Sequence, residues 1–367
     1  MGQKDERSHQ LDKARRAVYH WGTATKVQSQ QAFTVEARML LAGDIGGTKT
    51  VLALFSQAAG ARAPLVEMTF PSGGYASLEA VVQAFLAAHP QPVEYASFGV
   101  AGPVVAGRAE VTNLPWKMSE AGLRQALGVR EVRLLNDLES IAYAVPHLGA
   151  DDLHTINAGA AVPGGALAVI APGTGLGEAF LTSLGGRYLA HPSEGGHASF
   201  APNDELQIEL LRFLRPRLGH VSNERVCSGL GLPNLYAFLK ASGHAEEPAW
   251  LAERLAAAPD LTPVIVAAAL DAAQPCELCI ATLRMFVAIL GAEAANLALK
   301  VLATGGVYIG GGIPPRILPL FKQHGFMPAF LHKGRFAELL QNMPVHVILN
   351  PKAALLGAAA YGLGAWQ

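Results

Sequence analysis

The chain is poor in several things that would each direct it elsewhere. Of its 367 residues only three are cysteine, Cys227, Cys276 and Cys279. So small and odd a number cannot build a disulfide framework, and it fits a reducing compartment, the cytoplasm. Cys276 and Cys279 form one CxxC, in "CELC". A structural zinc needs four ligands, and neither a second CxxC nor a nearby histidine pair completes the set, so these read as ordinary thiols on a helix. Net charge is scarce as well, at -1. No whole-chain field draws the protein to nucleic acid or to acidic membranes. Long uninterrupted apolar runs are missing too. The most apolar region, 286–309, is broken by Glu293, Asn296 and Lys300. Those three recur about once per helical turn and share a face, as in a buried helix with one wet edge rather than a membrane span.

What is present is the composition of a globular protein, 51% hydrophobic and 16% charged. The length allows a large core and two domains. Residues 1–38 differ from the rest. They are polar, carry both signs of charge and show no sustained apolar period. They lack the apolar centre of a signal peptide, and Asp5, Glu6 and Asp12 are acids that transit peptides avoid. This stretch reads as an N-terminal extension, disordered and outside the fold, with Met39 a candidate working start.

From Met39 onward strands and helices alternate, the pattern of an α/β protein. Residues 39–43 and 51–55 read as strands joined by a turn over 44–50. Ser77 caps a helix to His89, and a strand follows from Tyr95 into a Gly-Pro turn. A short helix over 119–128 precedes the strand "EVRLLND", 131–137. The pattern then restarts. "GALAVIAPGTGLGEAFL", 165–181, is strand, glycine turn, strand. An apolar helix over 278–302 leads to the strand and turn "GGVYIGGGIP". The halves share no visible sequence repeat, but each places glycine turns after strands, and the turns could face one another across a cleft.

Glycine lets backbone amides approach an anion without an intervening Cβ. In "GDIGGTKT", Asp44 would repel a phosphate unless a cation stands between them, and hydrated Mg²⁺ is the fitting cation. Asp44, Gly46, Gly47 and Thr48 therefore suit a metal–nucleotide tail, and equally a tight hairpin with an Asx-turn at Asp44. The P-loop GxxxxGK[ST] is not matched, because Thr48 follows Gly47. The dinucleotide fingerprint GxGxxG also fails: "GTGLGE" has Gly173 and Gly175, but Glu178 at the third position. The second turn adds the hydroxyl of Thr174. The third adds Gly310, Gly311 and Gly312, bare backbone against which a base or ribose can lie.

The motifs "GDIGGTKT", "FGVAGPV", "TNLPW", "LLNDLESIAYAVP", "APGTGLG", "PSEGGHASFAP", "NERVCSGLGLPNLY" and "YIGGGIPP" together resemble the bacterial-type glucokinases, of the superfamily joining sugar kinases, heat-shock chaperone ATPases and actin. The resemblance covers nearly all of 39–367. It implies an α/β fold of two RNase H-like lobes, the actin-like ATPase fold, with ATP and sugar in the interlobe cleft. It divides the chain into a small lobe at 39–148, a large lobe at 149–350 and a C-terminal helix at 351–367 returning to the small lobe. The implied reaction is ATP-dependent phosphorylation of D-glucose to glucose 6-phosphate, with ATP and Mg²⁺ as cofactors. The nucleotide-binding residues it implies are Gly43, Asp44, Ile45, Gly46, Gly47, Thr48, Thr174, Gly310 and Gly311, with Asp44 on the metal.

Asn136 and Asp137 end a strand, where α/β folds gather ligands. By position Asp137 reads as a helix N-cap. The resemblance instead makes it the general base that accepts the proton of the attacking hydroxyl. Asn136, Glu194, His197 and Glu224 would hold the sugar, since hydroxyls both donate and accept. Asn113 is a further site candidate, and Trp116 reads as packing. The implied partner is glucose, with no nucleic acid and no membrane, and family analogy admits a homodimer. The alternatives are a related hexose or N-acetylhexosamine kinase, or a non-catalytic sugar-responsive regulator. Repressor-type relatives commonly carry a cysteine-rich zinc motif after the EGGH histidine, and none follows His197 here. A regulator would need a DNA-binding helix-turn-helix, and 1–38 shows none.

Overall fold

The computed structural model describes residues 39–111, 114–323 and 325–365. The extension at 1–38 and the candidate Asn113 lie outside the described residues.

Two sheets organise the chain. The first is built from β1 (Met39–Ile45), β2 (Lys49–Ser56), β3 (Val66–Pro71) and, after helix α1 (Leu78–Ala88), β4 (Val93–Val100). A small three-stranded sheet follows, β5 (Val104–Val105), β6 (Arg108–Glu110) and β7 (Lys117–Ser119). Helix α2 (Glu120–Leu127) and β8 (Glu131–Asn136) complete this half. The sheet order is β3-β2-β1-β4-β8. β1 is buried along its length except at Asp44. An apolar run of this kind suits a central strand covered on both faces. Ser77 caps α1 as expected, its hydroxyl accepting from the Ala80 amide.

Helix α3 (Asp137–Ala144) leads into the second half. Its strands are β9 (Leu153–Asn157), β10 (Leu167–Pro172), β11 (Leu176–Leu184) and β12 (Arg187–Ser193). Helices α4 (Glu205–Leu218), α5 (Leu232–Ala241), α6 (Ala249–Ala257), α7 (Leu261–Leu270) and α8 (Glu277–Val301) follow. Then come β13 (Gly306–Ile309), α9 (Leu318–Gln323), α10 (Phe326–Leu331), α11 (Ala337–Gln341), β14 (Val345–Ile348) and α12 (Ala353–Gly364). The second sheet has the order β12-β11-β10-β13-β14-β9.

The two sheets repeat one design. In each, a meander of three antiparallel strands is extended by two parallel ones, β4 and β8 in the first, β13 and β14 in the second. β9 adds an antiparallel edge to the second. This is the duplicated RNase H-like architecture expected of the actin-like ATPase fold. Sequence similarity between the halves is absent because the topology needs only strand-compatible runs at the right intervals.

The halves are joined through helices. α12 leaves the second half and packs on the first, with Leu355, Ala358, Ala359 and Leu363 against Leu40, Ala42, Ala53 and Phe55. Gly357 allows this helix to touch α3: any Cβ there would strike the carbonyl oxygen of Ser140. Two ion pairs brace the same junction, Arg62–Asp152 at 2.6 Å and Lys352–Glu67 at 2.7 Å. We propose the lobe boundary near Gly149, where α3 and the turn after it give way to the second sheet.

The apolar helix is α8, and most of it is interior. It packs among α5, α7, α10 and β10 as the core helix of the second half. One expectation needs correcting. Lys300 reaches water, but Glu293, on the supposed wet edge, is only 3% exposed. It faces a second buried carboxyl, Glu178 of β11. Trp116 packs as expected, 2% exposed, its indole donating to the Tyr75 carbonyl. The three cysteines are buried free thiols.

Candidate active site

The first glycine turn is tighter than expected. β1 runs on through Ile45 and β2 begins at Lys49, since Asp44 and Ile45 keep pairing with Val51 and Thr50. Only Gly46, Gly47 and Thr48 remain in the turn, which closes through Gly46 N–H donating to the Lys49 carbonyl at 3.0 Å. Gly43 and Ile45 therefore lie buried within β1, not at the turn. Ser72 braces the turn from below. Its hydroxyl donates to the Gly46 carbonyl at 2.7 Å, and its amide donates to the Thr48 carbonyl at 3.0 Å.

The second turn, 173–175, is held by the "SGLG" segment: the Gly229 and Leu230 amides donate to the carbonyls of Gly173 and Thr174. The third turn packs directly on the second. Gly311 has φ +85°, and a Cβ there would collide with the Pro172 carbonyl, so glycine is required on both counts. Among the described residues, no acceptor receives the amides of Gly47, Thr48, Thr174, Gly311 or Gly312. Such amides are the usual anion donors of glycine turns. Beside the third turn lies a cavity of about 260 Å³ lined by Thr262, Val266, Ile313 and Arg316 among others.

Asp44, Asn136 and Asp137 gather where the parallel strands β1, β4 and β8 end. Carboxyl ends of parallel strands are where such folds collect ligands. Burial pushes Asp44 up to about 6; Lys49 pulls against this and the Asp137 charge adds to it. Asp137 is also raised, chiefly by burial, and the charge of Glu194 acts in the same direction. The electrostatics thus tie the first turn, the head of α3 and the EGGH segment together.

The cap of α3 is Asn136, not Asp137. Its Oδ1 accepts from the amides of Leu138 and Glu139, and its Nδ2 donates to the Gly102 carbonyl at 3.0 Å. An asparagine preceding the helix wins the cap because the capping residue needs extended backbone, and Asn136 has φ -61° and ψ 150°. Asp137, already helical, accepts from Leu138 N–H at 2.8 Å, and its own amide and Asn136 also pull against the rise that burial imposes.

His197 stands between two carboxylates. Its Nε2 lies 3.7 Å from Glu194 and its Nδ1 4.0 Å from Glu224. Glu194 and His197 are mostly exposed, whereas Glu224 is recessed and accepts from the Leu176 amide at 3.1 Å. Glu224 therefore links the sugar-side cluster to the strand that leaves the second turn. Sequence reasoning missed the supports, Ser72, Ser228–Leu230 and the buried Glu178. Only Glu178 left a signal, as the charged residue that spoiled a glycine fingerprint inside an apolar strand.

A family model described as Glucokinase matches residues 41–364. The chain belongs to the glucokinase family. A glucokinase from Nostoc punctiforme is 40% identical over 336 residues, 88% of this chain and 98% of that one. The crystal structure of a glucokinase from an Antarctic psychrotroph superposes with TM-score 0.77 at 34% identity, covering 89% of this chain and 99% of that one. A ROK-family glucokinase from Streptomyces griseus, solved with glucose and AMPPNP, shares the fold at TM-score 0.57 and 22% identity, over 88% of this chain and 99% of that one. Glucokinase relatives thus span the two-sheet core from end to end.

Proposed function

We propose that this member of the family transfers the γ-phosphoryl group of ATP to the 6-hydroxyl of D-glucose, giving ADP and glucose 6-phosphate. The observation that carries the reading is Asp137, a buried carboxylate with its cap role taken by Asn136, with the charge of Glu194 acting on it and its own charge acting on Asp44. It stands between a phosphate turn and a hydroxyl-binding cluster. Glucose and AMPPNP in the Streptomyces griseus structure support the same pairing of substrates.

In this reading Glu194, His197 and Glu224 hold the ring hydroxyls, and Asn136 uses the second N–H of its amide. Asp137 accepts the 6-hydroxyl proton as the oxygen attacks, and burial, by raising its proton affinity, suits it to that task. The free amides of Gly47, Thr48 and Thr174 orient the phosphates. Gly310 and Gly311 offer backbone to the nucleoside, with the adjoining cavity to receive the base.

Asp44 fits hydrated Mg²⁺. It is a buried carboxylate on which the Asp137 charge also acts, and a site whose negative charge is penalised in this way gains by a divalent neighbour. Bound there, the ion would offset charge on the transferring phosphoryl group. The residues of the chain otherwise act by positioning, which dominates when the transition state is loose. The reduced, buried thiols support a cytoplasmic setting.

The test is a coupled assay across a hexose panel, with ATP and with polyphosphate as donors. Turnover of glucose with ATP is expected to lead the panel. No turnover of glucose with either donor would sink the reading.

A further inference from the structure

Two buried carboxyl groups lie where the proposed mechanism does not use them. Glu178 of β11 is 1% exposed and Glu293 of α8 is 3% exposed. They sit within hydrogen-bonding reach of each other. Oε1 of each lacks a donor among the described residues. Two ionised carboxylates cannot share so dry a space cheaply, and an unpaired buried acceptor costs about 1–3 kcal/mol. A single proton held between them removes both penalties.

The surroundings say where the charge rests. Asn296 donates to Glu293 Oε2 at 2.9 Å, and Lys300 Nζ lies 3.9 Å from Glu293 Oε1. Lys333 donates to Asn296 at 2.7 Å and its charge reaches Glu293 as well. The donors and cations of α8 and its surroundings thus gather on the Glu293 side of the pair. Burial, and then the facing Glu293, push Glu178 up to about 7, with Lys300 opposing. The buried Cys227 thiol, raised by burial and by both glutamates, is the other titratable neighbour on this side.

On its far side Glu178 supports the sugar turn. It pairs in register with Ser193, the residue before Glu194. The Ser193 hydroxyl accepts from the Gly195 amide at 3.0 Å. A Cβ at Gly195 would collide with Glu178 Oε2, and one at Gly196 with the Leu176 carbonyl. The two glycines of EGGH are there because the Glu178 carboxyl and the strand backbone press against the turn. Glu194 and His197, the charged groups of that turn, ride on this support.

We propose that Glu178 and Glu293 form a proton-sharing acid pair that positions the Glu194–His197 turn, so that glucose affinity depends on the proton between them. The proposal rests on the glucokinase reading for its substrate. Glu178 and Glu293 are positioning residues: neither faces the sugar. When the pair loses its proton, two adjacent charges repel, and the carboxyl under Gly195 must move. The titration belongs to the pair and not to one residue.

The test follows glucose KM and kcat against pH in the wild type, Glu178→Gln and Glu293→Gln. From about pH 6 to about pH 8.5 the wild-type KM is expected to rise roughly tenfold with kcat nearly constant. Both glutamine variants keep a donor between the two groups at every pH, so their KM profiles should lack this rise. Every other titrating group is common to the three proteins, so its contribution cancels in the comparison. The wild-type-minus-Glu178→Gln infrared difference spectrum near pH 6 should show the carbonyl stretch of a protonated carboxylic acid, the bands of Asp44 and Asp137 cancelling between the two proteins. Superimposable KM profiles, or no such band in the difference spectrum, would overturn the acid pair. Should the wild type fail to phosphorylate glucose, the functional reading falls, while the infrared band still decides the pair. If one variant does not fold, the other carries the comparison.

Discussion

Asn136 and Asp137 divide the head of α3 between them. Asn136 Oδ1 takes the amides of Leu138 and Glu139 at 3.0 and 3.4 Å, while Asp137 Oδ1 takes Leu138 at 2.8 Å. The helix start is thus secured by a neutral side chain. The charged one keeps its second carboxylate oxygen for other work. Backbone bonds pull its proton affinity down, and burial outweighs them.

That division predicts how Asp137→Asn behaves. The cap survives, so stability should change little. Loss of the base should lower kcat by roughly 10²–10⁴-fold, with a much smaller change in glucose KM. Steady-state kinetics checks this, and near wild-type kcat in the variant would remove Asp137 from the base role.

Glu194→Gln should weaken glucose binding by about tenfold, because a charged acceptor of a hydroxyl becomes a neutral one. Titration calorimetry with glucose alone reads this without turnover. Unchanged affinity would place the sugar elsewhere.

Asp44 ties stability to pH. Its pKa rises from 3.8 to about 6 on folding, so the folded chain holds a proton that the unfolded chain has released. Its contribution to stability therefore falls as pH climbs through that window and is level above it. Metal-free Asp44→Asn should be more stable than the wild type at neutral pH by about 3 kcal/mol, and nearly equal to it near pH 4. Denaturant unfolding with chelator present measures both. Saturating Mg²⁺–ATP should reverse the order, because only the wild type keeps the carboxylate.

Gly357→Ala sets two effects against each other. Alanine favours a helix interior by about 1 kcal/mol. Here its Cβ would strike the Ser140 carbonyl, backbone that cannot rotate away. Overpacking of this kind costs about 1–3 kcal/mol, so a lower Tm is expected. A raised Tm would mean that α12 is free to shift against α3.

The sequence by itself determined the local pieces. Apolar runs ending in glycine turns specified β1, β2, β10 and β11, and Ser77 and Ser119 announced their helices. These signals are local because strand pairing and capping are satisfied within a few residues. The candidate site residues were legible only through the combination of motifs that resembles the family. Singly, a glycine turn, an Asp after a strand and a lone His each have common structural uses.

Tertiary structure decided the rest. It gave the cap of α3 to Asn136, because that depends on backbone angles no pattern displays. It moved Glu293 from a wet edge to the interior, because its partner Glu178 is 115 positions away. It set the α12 glycine against a carbonyl of α3, and it stacked the third turn on the second. Contacts between segments remote in sequence leave no periodicity to read, so only the folded chain could show which carboxylates meet and which side chains bear on the turns.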